Sequence, residues 1–229
     1  MIVNLPFLLL ALLLLCFPRQ WMRLGLAIMN RKRRRSEGAT RREEEPWKTS
    51  EPGDPAVSFR EEFVKVRNYV DLFRATAGSL AVIGGLGIDP CVSAPPDAPK
   101  LVGYEVFAVQ VAILLAGLLV QSVRYERGRF LVFAPIFFLA GLSVGICGIK
   151  AAGFAFALIW AVNPMLKNPS GFLSAYALLI GLFGVLFLDF TSILVVLAVV
   201  LTFLPVLLSA LMQRPLVLFS RKSVRPTRH

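Results

Sequence analysis

The stretch TSILVVLAVVLTFLPVLLSALM, Thr191 to Met212, carries no charged residue from end to end. An α-helix needs about 20 predominantly apolar residues to cross a hydrocarbon core about 30 Å thick, and this run is long enough. Val106 to Val123, VFAVQVAILLAGLLVQSV, repeats the pattern with Gln110 and Gln121 set into it. A transmembrane β-barrel would instead alternate polar and apolar residues in segments of about ten. The 229 residues are 56% hydrophobic and 17% charged, whereas a soluble domain is about 45–50% apolar and about 25% charged. The fold class expected is an all-α integral membrane protein, a multi-pass helical bundle.

Working outward from Thr191, residues 191–211 and 171–188 form two spans separated by Asp189. Residues 130–163 as one helix would measure about 50 Å, too long for one crossing. They are read as two spans turning near Lys150, the second ending at the Pro- and Gly-containing loop NPMLKNPSG. A further span covers 101–123, with Gln110, Gly117 and Gln121 on one face. ATAGSLAVIGGLGI, Ala75 to Ile88, is short for a crossing, but its Ala77, Ala81 and Gly85 make a stripe that lets helices approach closely. With the apolar N-terminus the count is about seven spans, five or six being the alternatives. No internal repeat is visible.

The N-terminal run lacks the basic n-region and small-residue cleavage site of a secretory signal. Residues 1–30 are therefore expected to be an uncleaved membrane anchor followed by an interfacial helix. Residues 31–56 form a basic, polar linker. Residues 57–74 form an amphipathic helix, with Phe59, Phe63, Val66, Val70 and Phe73 on one stripe. Ser58 and Glu61 have the spacing of a capping box at its start. Residues 75–212 make the transmembrane bundle and 213–229 a basic tail.

The formal charge is +11, from 25 Lys and Arg against 14 Asp and Glu. In the seven-span threading only Lys100 and Lys150 fall on one side, and the other 23 lie opposite. That asymmetry is the positive-inside pattern. It predicts an N-terminus outside and a C-terminus on the cytoplasmic side (matrix or stroma in an organelle). Arg31, Lys32, Arg33, Arg34 and Arg35 are then contacts for anionic lipid headgroups or a partner, each contributing about 1 kcal/mol near an anionic surface. Nucleic acid is not an expected partner, because no recognition module accompanies the charge.

GLSVG, Gly141 to Gly145, matches the G-x-S-x-G pattern of serine hydrolases. The chemistry needs a base beside Ser143, and the one histidine is His229 at the end of the chain. Lys150 is about 10.5 Å further along a continuous helix. Gly141, Gly145, Gly148 and Ala152 follow helical spacing, which helix packing explains without catalysis. With one histidine, imidazole-ligated metal and haem sites are not expected. Cys16, Cys91 and Cys147 lack metal-type spacing, so no metal or cofactor is expected.

Glu105, Gln110, Gln121, Lys150 and Asp189 are the candidate intramembrane polar or ion-pair residues, since such groups mark functional positions by default. The expected function is a non-catalytic structural or accessory subunit of a larger membrane complex, with other membrane subunits or itself as partner. The alternatives are a small channel or transporter using those polar residues, and, third, an intramembrane hydrolase at Ser143.

Overall fold

The computed structural model describes residues 1–17, 57, 59–85, 87–96, 99–126, 129–166, 168–188, 192–214 and 216–217. The basic segment with Arg31 to Arg35, the interfacial stretch after Phe17, Ser58 of the expected capping box, Asp189 and the end of the tail lie outside them.

Strand β1 (Ile2–Val3) leads into helix α1 (Leu5–Cys16). Short helix α2 (Phe59–Phe63) precedes α3 (Val66–Ile83), which is followed by strand β2 (Val92–Ser93). Helix α4 (Lys100–Ser122) runs into the hairpin β3 (Val123–Glu126) and β4 (Arg129–Phe133). Helix α5 (Ile136–Val162) ends in a 3-10 turn, Asn163–Met165; then come α6 (Pro169–Phe187), α7 (Ile193–Leu211) and strand β5 (Leu216–Val217).

The structure is mostly helical, and among the described residues four helices are long and apolar enough to cross a membrane: Lys100–Ser122, Ile136–Met165, Pro169–Phe187 and Ile193–Leu211. That is fewer than the seven expected. Helix α1 has 12 residues, about 18 Å of rise, and α3 carries Arg67, Asp71 and Arg74 among its 18 residues.

One of the four is not straight. At Gly148 the backbone of α5 leaves helical geometry (φ 78°, ψ 163°). The rings of Phe137 and Trp160 are 6.2 Å apart, although 23 residues of continuous helix would separate them by about 35 Å. Helix α5 is therefore a hairpin of two arms, 136–147 and 149–162, about 18 and 21 Å long. The expected regular stripe from Gly141 to Ala152 is broken at Gly148, which is the turn itself.

Contacts set the direction of each helix between two ends of the bundle, here upper and lower. At the upper end β1 pairs antiparallel with β2, and the Asn4 amide donates to the Cys91 carbonyl at 2.9 Å. At the lower end Phe17 meets Arg74 and Gln121. So α1 descends, α3 rises and α4 descends. Gly141 faces Leu72 and Ala75, and Gly145 faces Ser79, so the first α5 arm rises beside α3 and the second returns. Phe172 meets Trp160 below, while Phe183 and Phe187 meet Phe154 above, so α6 rises. Helix α7 descends to β5, whose Leu216 pairs parallel with Val132 in the lower sheet β3-β4-β5.

The amphipathic helix expected over 57–74 is instead two elements, and its second part continues through the run expected as a separate span. The chain breaks between Phe63 and Val66 because Glu62 accepts the Lys65 ammonium and the Asn68 amide, 2.7 Å from its Oε2, folding the chain around its carboxylate. Phe63 then turns inward, leaving the single stripe.

What remains of that stripe is inverted relative to a soluble protein. On α3, Val66, Val70 and Phe73 are exposed while Asn68, Asp71 and Arg74 are buried. Leu178, Leu182 and Leu186 on α6 and Val196, Val200 and Phe203 on α7 are exposed as well. Apolar outer faces of this extent have no place in water as a monomer. The close approaches also fall elsewhere than expected: Ala77 is exposed, and it is Ala75 and Ser79 that meet Gly141 and Gly145.

Candidate functional site

A concentration of buried polar groups lies where α1 ends. Helix α1 stops at Cys16, leaving its last carbonyls without intrahelical donors. Arg74 Nη1 donates to the Phe17 carbonyl at 2.6 Å, and Gln121 Nε2 donates to the carbonyls of Phe17 at 3.0 Å and Leu15 at 3.2 Å. A cation here also complements the negative end of the helix dipole. Arg74 Nη2 lies 2.9 Å from Asp71 Oδ1, both side chains almost wholly buried. The contact is an ion pair without hydrogen-bond alignment. The guanidinium carbon sits 5.3 Å from the Phe138 ring centre, a cation–π contact. Arg74 Nε and Ser122 Oγ are buried without a partner.

The packing around this cluster is close because two glycines face one leucine. A Cβ on Gly78 or on Gly117 would lie 2.7 or 2.8 Å from Leu15 side-chain atoms. Gly117 and Gln121 therefore serve one purpose on α4, the first admitting α1 and the second capping it.

Gln110 is buried and donates to the Val92 carbonyl at 3.1 Å, holding the loop that carries β2 against α4. Glu105 is exposed on the outer face of α4. Lys150 is exposed at the tip of the α5 hairpin. The expected polar residues are thus not gathered into one site: Gln110 and Lys150 lie toward the upper end, Gln121 at the lower end, and Asp189 is outside the described residues.

Ser143 is buried, its hydroxyl 2.9 Å from the Tyr176 hydroxyl and 2.9 Å from the Ala140 carbonyl. Both glycines of its motif pack on α3, where a Cβ on Gly141 would meet the Leu72 carbonyl oxygen at 2.3 Å. Lys150 lies past the break at Gly148. Ser79, Thr76 and Thr202 return their hydroxyls to carbonyls three or four residues back, a common way to bury such groups in apolar helices. Cys16, Cys91 and Cys147 are free thiols.

Sequence reasoning missed Asp71 and Arg74. Their signal is in the sequence: Asp71 lies across the helix from the apolar stripe Val66, Val70 and Phe73, and Arg74, three residues on, borders that stripe.

No protein-family model, curated protein or solved structure matches the chain.

Proposed function

We propose that this protein is a non-catalytic structural subunit of a larger membrane assembly, crossing the membrane seven times with its N-terminus outside and its C-terminus on the cytoplasmic or matrix side. Support for the seven crossings is the alternating direction of α1, α3, α4, the two α5 arms, α6 and α7; α1 and the two arms, at about 18, 18 and 21 Å, would cross where the bilayer thins to meet them. Helix α3 qualifies because its charged face is turned inward, where ionisable groups in bilayers belong. Lys65, Arg67 and Arg214 belong to segments at the lower end, in keeping with a positive inner side. Anionic headgroups are the proposed contact of Arg31 to Arg35.

The observation that carries the structural reading is how the interior polar groups are used. Gln110 and Gln121, the best candidates for a solute path, are both engaged with backbone carbonyls. Ser143 is engaged with Tyr176. Groups held in this way fix helix positions and leave little for a reacting or moving ligand.

A second reading, a small channel or transporter, draws on the break at Gly148, since transporters often place their sites at interrupted helices. The test is the mass of the protein extracted from its membrane in mild detergent, measured by light scattering. Co-migration with unrelated chains at a fixed ratio is the expected result. A lone homo-oligomer that carries solute flux in liposomes would replace the structural reading with the second one.

A further inference from the structure

Helix α2 lies across the lower, open end of the α5 hairpin. Phe63 stacks on Phe59 at 4.2 Å and reaches Trp160 at 5.0 Å, Phe137 at 5.3 Å and Phe156 at 6.3 Å, so one ring touches both arms. Val57, just before the helix, is buried, and its carbonyl accepts the Asn163 side-chain amide at 2.5 Å. Deeper between the helices, Phe156 meets Tyr176 at 6.0 Å, and Tyr176 meets Ser143.

Two polar atoms under this cover have no hydrogen-bond partner: the Trp160 indole nitrogen and the Asn163 side-chain oxygen. Trp160 is 7% exposed and Asn163 5%. Buried polar groups nearly always find partners, and here a donor and an acceptor three residues apart are left without one. Water or a polar ligand group would satisfy both if the cover moved.

The attachment of α2 suits it to moving. It has five residues, Phe59 remains 52% exposed, and the link to α3 is an exposed Val64 and an extended Lys65 (φ −81°, ψ 102°). Among the described residues it is held by the Asn163 to Val57 bond, the Phe59 and Phe63 rings on Trp160, and Glu62 gripped by Lys65 and Asn68.

We propose that α2 is a displaceable plug, hinged at Val64 and Lys65, which covers the lower ends of the α5 arms and withdraws to admit water or a neutral polar ligand group to Trp160 and Asn163. The plug is independent of whether the protein is a subunit or a transporter.

The chain has three tryptophans, so Trp21→Phe with Trp47→Phe leaves Trp160 as the sole reporter in the full chain, held in phosphatidylcholine nanodiscs. Asn68→Ala removes two hydrogen bonds to Glu62, to its carbonyl and its carboxylate, and Phe63→Ala removes the ring that bridges the arms. Each is expected to raise acrylamide quenching of Trp160 several-fold and to speed amide exchange over residues 59–63, with exchange over 66–83 unchanged. Trp160 as shielded in both variants as in the parent would overturn the plug. So would faster exchange spreading through α3 and α5, because that describes general loosening.

Discussion

Gly141→Ala adds one methyl group where α3 and the first arm of α5 touch, and its cost can be worked from distances. The new Cβ would lie 2.3 Å from the Leu72 carbonyl oxygen, 2.8 Å from the Ala75 Cβ and 3.0 Å from the Thr76 amide nitrogen. Carbon and carbonyl oxygen normally approach no closer than about 3.3 Å, so the two backbones must separate by about 1 Å. Two of the three obstructing atoms are helix backbone, which no rotamer change relieves. Overpacking of this kind costs about 1–3 kcal/mol, and the rigid obstruction argues for the upper part of that range. Helix propensity works the other way, Ala being favoured over Gly by about 1 kcal/mol in a helix interior. Gly103→Ala isolates that benefit, since Gly103 has nothing within 4 Å of its added Cβ. The assay is equilibrium unfolding in detergent micelles titrated with dodecyl sulfate, followed by circular dichroism. A net loss of about 1–2 kcal/mol is expected for Gly141→Ala, against no loss for Gly103→Ala. Equal stability of the two variants would refute the close α3–α5 contact, and with it the packing explanation of the GLSVG motif.

Three further outcomes follow from other contacts. Asp71→Ala strands the buried Arg74 guanidinium and is expected to cost about 3–5 kcal/mol in the same titration, with Asp71→Leu plus Arg74→Leu costing less than the single change. Gly148→Ala meets no neighbouring atom but forces a side chain to φ 78°, so it should cost about 1–3 kcal/mol through backbone strain alone; a neutral result would mean the hairpin turns elsewhere. Cys91 lies in the loop after α3, where burial raises its thiol above the ordinary range. Less thiolate is then present at a given pH, so maleimide labelling of native Cys91 should rise at a higher pH than that of an unfolded control.

Much of the membrane character was legible in the sequence, because run length and charge exclusion are local quantities. Thr191 to Met212 needs no partner to be recognised as a membrane-length helix. The common face of Gln110, Gly117 and Gln121 was equally legible, since helical period alone places them together, and all three are buried. The purpose of that face was not legible. Gln121 bonds to Phe17 across 104 residues and Arg74 to the same carbonyl across 57, and no local pattern encodes which distant carbonyl will need a donor.

The tertiary structure alone decided the rest. Periodicity put Phe59 to Phe73 on one stripe but could not tell a helix lying on a surface from one with its polar side inward, because the pattern is identical and only the surroundings differ. Nor could it tell which small residues are used: Ala77 and Ala81 have the same spacing as Gly141 and Gly145, yet Gly141 and Gly145 are the pair pressed against a neighbouring backbone. Local sequence sets what each segment can tolerate in a bilayer. Which faces meet, and where α5 turns back, depends on pairing between segments far apart in the chain.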